Sequence, residues 1–372
     1  MRSRRLAGGV RLAGRPHRDR QGGGHPLTSS VPASHPPTLR WIQALRALAA
    51  LAVVAFHAFQ WLDDRFWVGA AGVDVFFVIS GFIIWTVGSR DEATPGVFFW
   101  RRFTRVAPAY WLMTLVTIAI AATSPMFLPQ LSLSPRHILL SLAFVQHTDP
   151  NGLVFPVLPP GWSLNYEAVF YGLFTLVLFA PAGWRFALIL AALVGEVALG
   201  FCDPPLYGLG ANPMMLQFAA GVIVARLAQL GRLRIDPGAG LALMLFGAAL
   251  FAVMGLTGLR DESLRPMLWG VPALMIVVGA VTAETGRGPP AWLARLGDAS
   301  YAIYLVHLPV VALVAHTLGI RPVALFVPVA MAASAAAGVL FHVAIERPLI
   351  AACRRLPELL AHLGRHGEAA AR

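Results

Sequence analysis

Long apolar runs follow one another along the chain from about Trp41 to Pro348, with short polar gaps between them. A helix that crosses a bilayer needs about 20 consecutive, mostly apolar residues. We predict ten such spans, at 42–62, 68–88, 107–126, 162–180, 186–202, 212–229, 237–257, 266–284, 299–318 and 323–346. The pattern therefore predicts an all-α integral membrane protein with about ten transmembrane helices.

Three segments do not fit a spanning helix. Residues 1–40 are rich in Gly, Pro, Arg and Ser and lack the apolar stretch of a signal peptide, which predicts a disordered basic cytoplasmic arm or a start codon assigned too far upstream. The segment 136–147 is too short to cross, so we predict a re-entrant or interfacial helix there. Glu346, Arg347 and Pro348 suggest a helix stop, because proline disrupts helices. The predicted domains are the arm 1–40, a transmembrane domain 41–348 and a cytoplasmic tail 349–372.

The composition changes this picture little but explains the charge. The chain is 57% hydrophobic and 13% charged, whereas soluble domains carry about 25% charged residues. All 29 basic residues are arginine, and they concentrate in the N-terminal arm and in the gaps 89–106, 226–236 and 285–298. This distribution is typical of cytoplasmic loops and not of nucleic-acid binding. It predicts that both termini are cytoplasmic, with Arg260, Arg265 and Arg321 as minority outside charges.

Ionisable side chains inside apolar spans are functional candidates, because charge is costly at membrane depth. The candidates are Arg46, His57, Asp74, Glu167, Glu196, His307 and His342, with Glu284 and Glu346 at span ends. Helix geometry places His57, Asp74 and Glu167 in one layer, roughly 8–9 Å below the outer helix ends. Arg46 lies roughly 16 Å deeper than His57. These positions predict a central polar chamber, while Glu196 has no predicted partner and is interpreted as structural.

The candidate residues suit a particular chemistry. A histidine beside a carboxylate can take a proton from a hydroxyl and return it to a leaving group, as in acyl transfer. Guanidinium groups bind phosphate in a bidentate manner, so Arg46, Arg102 and Arg105 suit an acidic donor that enters from the cytoplasm. A structural interpretation also exists, in which His57 and the carboxylates only hold helices together. For Arg101, a simple end-of-helix charge is the better interpretation.

Five strings in order resemble the signatures of the membrane-bound acyltransferase family 3. They are RALAALAVVAFH at 46–57, GVDVFFVISGF at 72–82, RFTR at 102–105, GWSLNYEAVFY at 161–171 and SYAIYLVH at 300–307. The resemblance implies a ten-span enzyme of the bacterial inner (cytoplasmic) membrane. It would move an acyl group, usually acetyl, from cytoplasmic acyl-CoA to a hydroxyl of an acceptor. In such an enzyme His57 would be essential, Arg46 would be its partner in the Arg-x10-His motif, and Arg102 and Arg105 would bind the CoA donor.

The resemblance also places Asp74 and Glu167 at acidic motif positions. We expect one of these two carboxylates to orient His57 as a base, or His57 to be acylated itself. The candidate acceptor-binding residues are Trp162, Ser163, Tyr171 and His307, with Trp162 and Tyr171 expected near the outer mouth. No hydrolase-like domain follows the core in this sequence, which favours a sugar of an exopolysaccharide, oligosaccharide or lipid-linked glycan as acceptor. Membrane lipid and a carbohydrate or small-molecule acceptor are the expected partners, without nucleic acid or metal.

Two other functions remain open at the level of sequence. A transporter or flippase could use the same charges to bind an anionic or glycan substrate, although no inverted repeat is visible. A non-catalytic membrane scaffold would leave the buried charges unexplained. Consumption of acyl-CoA by the purified protein distinguishes the enzyme from both.

Overall fold

The computed structural model describes residues 39–63, 66–90, 93–124, 131–202, 212–259, 261 and 264–356, and these ranges contain helices and no strands. The helices are α1 (Arg40–Phe59), α2 (Gly72–Gly88), α3 (Pro95–Thr123), α4 (Pro135–Leu142), α5 (Gly161–Val177), α6 (Ala182–Cys202), α7 (Met215–Gln229), α8 (Pro237–Thr257), α9 (Gly270–Ala283), α10 (Ala291–Asp298), α11 (Ser300–Leu318) and α12 (Val323–Phe341). A 3-10 turn, Trp67–Ala71, leads into α2, and a single helical turn, Arg265–Leu268, precedes α9.

Eight helices in the described part of the chain are long and apolar enough to cross a membrane. They are α1, α2 with its 3-10 turn, α3, α6, α8, α9 with its preceding turn, α11 and α12 with its extension. Helix α7 is apolar but has 15 residues, and α5 has 17 residues with a polar first half. Each of the ten predicted spans thus overlaps a helix, and the chain is a multi-pass membrane protein. Helix α4 has 8 residues, fewer than a crossing needs, which agrees with the interpretation of 136–147 as a re-entrant or interfacial helix.

Small residues set how closely the central helices approach each other. Helices α1 and α2 are antiparallel, and a Cβ at Gly72 would collide with the backbone oxygen of Ala49. Between α2 and α7, a Cβ at Gly81 would collide with the backbone of Phe218, and one at Gly221 with the oxygen of Val78. Membrane helices pack through such small residues, because lipid gives no hydrophobic drive for association.

Two predicted helix ends are wrong. Helix α3 begins at Pro95 and not near 107, with proline at its first turn, where proline is well tolerated. The arginines at 101–105 therefore lie inside a helix and not in a loop. The last helix continues past Pro348 to Leu356, with a π-helical turn over His342–Glu346 directly before the proline. A π turn widens the helix locally, so Pro348 is accommodated and does not end it.

The end of the segment between α4 and α5, residues 156–160, lies in the interior of the bundle, whereas residues 150–155 before it are exposed. Val157 and Leu158 are fully buried, and the Val157 N–H donates to the Ser141 Oγ at 3.0 Å. The hydroxyl of Tyr304, on the second turn of α11, donates to the Pro160 carbonyl at 3.1 Å. Helix α5 therefore begins inside the bundle beside Tyr304, and not at a helix-end level as the sequence suggested.

Candidate active site

A cavity of about 160 Å³ lies between α1, α2, α3, α5 and α11. Its apolar wall is the face of α2 from Val73 to Ile84, which extends about 16 Å along the helix axis. Its polar lining residues are Arg46, Ser80, Arg102, Arg105, Ser163, Glu167, Tyr171, Ser300, Tyr301 and Tyr304. The fold thus collects in one cavity six of the residues that the sequence singled out, namely Arg46, Arg102, Arg105, Ser163, Glu167 and Tyr171.

The arginines of the cavity are only partly satisfied by protein groups. Arg46 donates to the Gln43 Oε1 at 3.2 Å. The Nε of Arg102 is buried, and within the described residues it has no hydrogen-bond partner. The Oγ of Ser300 is also buried without a hydrogen-bond partner among the described residues. Because buried polar groups normally have partners, these orphaned groups point to a polar ligand. Arg101 is exposed and does not line the cavity.

Arg105 is held by a carboxylate that the sequence did not assign to the site. Its guanidinium forms an ion pair with Glu346, which is fully buried on the π-helical turn of the last helix. The second oxygen of Glu346 lies 2.6 Å from the His342 Nδ1. The prediction that Glu346 belongs to a helix stop is therefore wrong. Its position in the sequence, an ionisable group at the end of an apolar span, was the available signal.

Glu167 accepts hydrogen bonds from the Ser80 Oγ, at 3.0 Å, and from the Tyr171 hydroxyl. Ser80 is six residues, or about 9 Å, farther along α2 than Asp74. Glu167 therefore lies toward the Arg40 end of the bundle, at the level of the arginines. The predicted common layer with His57 is wrong for Glu167, because α5 begins inside the bundle.

Asp74 does not contact His57 either. Its carboxylate accepts from the Gln217 Nε2 at 2.5 Å and from the Arg265 guanidinium at 3.0 Å. Gly72 lies opposite Ala49, which is eight residues or about 12 Å before His57 on α1. Asp74 is thus deeper than predicted and fully engaged with an arginine from the turn before α9.

A second histidine contacts His57 in place of a carboxylate. The His57 Nδ1 lies 2.9 Å from the Val53 carbonyl oxygen and 3.1 Å from the His307 Nε2. The His307 Nδ1 in turn lies 2.7 Å from the Tyr304 carbonyl oxygen. His307 is fully buried, whereas His57 is partly exposed. The sequence placed His307 near mid-membrane as an acceptor-binding candidate and missed its contact with His57.

The histidine pair adjoins the end of the cavity that lies farther from the arginines. Tyr304 lines the cavity, and its ring centroid is 5.8 Å from that of His307. Val73, at the same end, packs in one apolar cluster with Val53, whose carbonyl contacts His57. The cavity therefore extends between the arginines and the neighbourhood of His57.

The predicted acceptor-binding residues separate in space. The Ser163 Oγ lies 2.8 Å from the Tyr304 hydroxyl, beside the histidine pair. Trp162 lies with its ring 5.9 Å from the Arg265 guanidinium, which also stacks on Trp269 at 4.3 Å. Tyr171 is one turn beyond Glu167 toward the Arg40 end, so its expected place near the outer mouth is wrong.

Two ionisable groups outside the long helices of the structure, His137 and Glu284, have shifted pKa values. Burial and the neighbouring His147, whose Nε2 is 2.7 Å from the His137 Nδ1, lower the pKa of His137. Burial also raises the pKa of Glu284, although the carboxylate accepts three backbone N–H groups. Neither group lines the cavity. Across the residues that the structure describes, no cluster of three or more His, Cys, Asp or Glu side chains could hold a metal ion.

Comparison with known proteins agrees with this geometry. The profile of the family described as "Acyltransferase domain" (Acyl_transf_3) matches residues 39–343, a range that includes every residue of the cavity and the histidine pair. The chain belongs to acyltransferase family 3. It is therefore a multi-pass membrane acyltransferase of the O-acetyltransferase type. Membership of this family favours an enzyme over the transporter and scaffold alternatives.

Relatives of this acyltransferase have varied names. It is 37% identical over 308 residues to the exopolysaccharide production protein ExoZ of Rhizobium meliloti (strain 1021), covering 79% of this chain and 94% of the relative. It is 26% identical over 321 residues to the peptidoglycan O-acetyltransferase OatA of Listeria monocytogenes, covering 75% of this chain and 50% of that protein. It is 28% identical over 311 residues to the acyltransferase MdmB of Streptomyces mycarofaciens, covering 73% and 77%. No solved structure matches the chain.

Proposed function

We propose that this acyltransferase moves an acetyl group from cytoplasmic acetyl-CoA to a hydroxyl of a sugar in an exopolysaccharide, oligosaccharide or lipid-linked glycan. The observation that carries the proposal is the arginine-lined cavity that ends beside the His57–His307 pair. It provides an anion site at one end and a proton acceptor at the other, about 16 Å apart along α1.

In this proposal the arginines bind the phosphates of the donor. Arg46 makes one hydrogen bond, to Gln43, the Arg102 Nε has no partner among the described residues, and Arg105 is held in place by Glu346. Charge-assisted bonds to phosphate are about twice as strong as neutral hydrogen bonds. The apolar face of α2 between Val73 and Ile84 then accommodates the uncharged arm that carries the thioester.

The transfer step uses His57 as a general base. The acceptor hydroxyl gives its proton to the His57 Nε2 while its oxygen attacks the thioester carbonyl carbon. The carbon–sulfur bond breaks, and His57 returns the proton to the departing CoA sulfur. The product is an acetyl ester and free CoA, which leaves toward the arginines. If acetylated His57 accumulates when no acceptor is present, His57 is a nucleophile and not a base.

A sugar acceptor is supported by two observations. The matched region covers almost the whole length of a relative named for exopolysaccharide production. Trp162 and Ser163 stand at the start of α5 next to Tyr304, and aromatic rings beside hydroxyl groups suit sugar binding. We propose Trp162 and Ser163 as acceptor contacts and assign Tyr171 to the donor end.

The proposed membrane arrangement has ten crossings in a bacterial inner membrane. Helices α5 and α7 complete the count beside the eight long helices. The arginine-rich gaps lie in the cytoplasm. Both termini then lie in the cytoplasm, and the arginine end of the cavity opens toward the acetyl-CoA pool.

The donor assignment is tested with purified protein in lipid nanodiscs, by measuring CoA release from acetyl-CoA with an acceptor glycan present. Arg102→Ala removes a guanidinium whose Nε has no protein partner, so the fold should survive. Loss of one charge-assisted interaction of about 1.5–3 kcal/mol predicts a rise of about 10- to 100-fold in the KM for acetyl-CoA. Arg102→Lys should recover only part of the affinity, because an ammonium lacks the planar fork.

Arg101→Ala is the matched control, since Arg101 is adjacent but exposed, and its KM should equal that of the wild type. An unchanged KM in Arg102→Ala would remove the arginine cavity from donor binding. Absence of any CoA release by the wild type with acetyl-CoA would refute acetyl-CoA as the donor.

A further inference from the structure

Hydrogen-bond geometry fixes the protonation of both imidazoles in the His57–His307 pair. A carbonyl oxygen only accepts, so the His307 Nδ1, 2.7 Å from the Tyr304 carbonyl, carries a proton. In the neutral ring the His307 Nε2 is then an acceptor. The His57 Nδ1, 2.9 Å from the Val53 carbonyl, carries a proton for the same reason and shares it with the His307 Nε2 at 3.1 Å.

The Nε2 of His57 is the one ring nitrogen of the pair that takes no part in these contacts. In the neutral ring this nitrogen is unprotonated. A general base needs such a lone pair, and the group on the other nitrogen sets which tautomer is present. In catalytic histidines the group that accepts from the other nitrogen, and so sets the tautomer, is usually a carboxylate. The two carboxylates that the sequence suggested are engaged elsewhere, Asp74 with Arg265 and Glu167 with Ser80 and Tyr171.

We propose that His307 is a positioning residue, which holds His57 in the Nδ1-protonated tautomer and supports its charge during transfer. When His57 takes the acceptor proton, its Nδ1–H bond to the His307 lone pair becomes charge-assisted and strengthens. His307 does not touch the substrate or the reacting atoms. The inference rests on the proposed role of His57 as the base.

Burial and a hydrogen bond to Tyr304 keep His307 in place. Its ring is fully buried, which limits rotation. Its Nδ1 is bonded to the Tyr304 carbonyl, and the Tyr304 hydroxyl is bonded to the Pro160 carbonyl and the Ser163 Oγ. The start of α5 is thereby connected to the histidine pair, because Tyr304 contacts α5 through its hydroxyl and His307 through its backbone carbonyl.

The test compares His307→Leu with His307→Gln in the purified enzyme. Leucine removes the acceptor, whereas the glutamine amide oxygen can still accept from the His57 Nδ1–H. We expect kcat to fall about 10- to 100-fold in His307→Leu, the worth of one hydrogen bond to a charged group. The KM for acetyl-CoA should be unchanged, and His307→Gln should recover most of the kcat. His316→Leu, an exposed histidine on the same helix, is the control for the fold.

A second measurement does not depend on activity. In ¹⁵N-histidine-labelled protein, with the His57 signals identified by their loss in His57→Gln, the wild type should show a protonated Nδ1 and a bare Nε2. His307→Leu should add the other tautomer. A wild type with a protonated Nε2, a wild-type kcat in His307→Leu, or equal losses in the Leu and Gln variants would each overturn the proposal. If the wild type shows the expected His57 tautomer but His57→Gln is active, the proposed role of His57 as the base is wrong, while the hydrogen bond between the two histidines stands.

Discussion

At the scale of single residues, the ion pair of Asp74 with Arg265 explains why an acidic residue lies inside an apolar helix without serving His57. Asp74 is fully buried, and both of its oxygens accept from Arg265 or Gln217. Breaking one partner of a buried pair leaves an uncompensated charge, which costs about 3–5 kcal/mol. The pair is thus a structural connection between α2 and the turn before α9.

We therefore expect Asp74→Asn to lower the thermal stability of the protein clearly in detergent or nanodiscs, measured by intrinsic fluorescence. Among molecules that remain folded, the kcat should stay near the wild-type value. Asp74→Leu combined with Arg265→Leu should be more stable than Asp74→Leu alone, because no charge is left unpaired. A stable Asp74→Asn variant with a lost kcat would instead support a catalytic carboxylate.

At this scale the sequence identified which residues matter better than it identified their partners. His57, Arg46 and Arg102 stand out because ionisable groups are rare in apolar spans. Their contacts depend on the heights of α5 and α11 along the membrane normal. The spacing of residues within one helix does not determine the height of that helix relative to another. The sequence therefore paired His57 with a carboxylate, although His307 is the residue in contact with it.

At the scale of helices, α1 receives its N-terminal cap from another helix. Backbone N–H groups of Arg40, Trp41 and Ile42 donate to the carboxylate of Glu284 at 3.0, 2.6 and 3.2 Å. The residue before α1, Leu39, has no side chain that could do this. A negative charge near a helix N-terminus is favourable, because the first N–H groups have no partner within the helix.

We expect Glu284→Ala to destabilise the protein by about 1 kcal/mol, the typical value for the loss of a helix cap. The effect should appear as a lower melting temperature in nanodiscs. Thr285→Ala is the matched control, because its hydroxyl only returns to the Thr282 carbonyl of its own turn. Equal melting temperatures for the Glu284 variant and the wild type would show that the cap adds nothing.

The helices themselves could be predicted because apolar runs of about 20 residues leave little choice of structure. Their ends were less predictable. Arg101 and its neighbours suggested a loop, yet the aromatic residues around them extend α3 to Pro95. The burial of 156–160 could not be predicted either, since the bonds of Ser141 to Val157 and to Tyr110 connect distant parts of the chain.

At the scale of the whole molecule, the fold separates an anion site from a proton acceptor along one cavity. The ion pair with Asp74 also affects the topology argument, because Arg265 no longer counts as a free charge on the outer side. In the described part of the proposed topology this leaves Arg136, on α4, and Arg321 as arginines on the outer side. The positive-inside rule still favours a cytoplasmic location for 226–236 and 285–298, which together carry five arginines.

The topology predicts the location of three reporter fusions. A reporter after Arg232 and one at the C-terminus should be cytoplasmic, and one between 258 and 265 should be exported. Paired alkaline phosphatase and green fluorescent protein fusions measure this in cells. Export of the reporter after Arg232 would mean that 136–147 crosses the membrane, contrary to the length of α4.

The His57→Gln variant decides whether His57 is the base in acyl transfer. Glutamine keeps a hydrogen-bonding end but cannot take a proton near neutral pH. Since general-base catalysis contributes about 10²–10⁴-fold, the CoA release rate of purified His57→Gln should fall by at least that order. Expression and melting temperature should stay near those of the wild type, and the control His316→Gln should be almost silent. A His57→Gln enzyme that retains most of its turnover would contradict the account, because His57 would then have only a structural role.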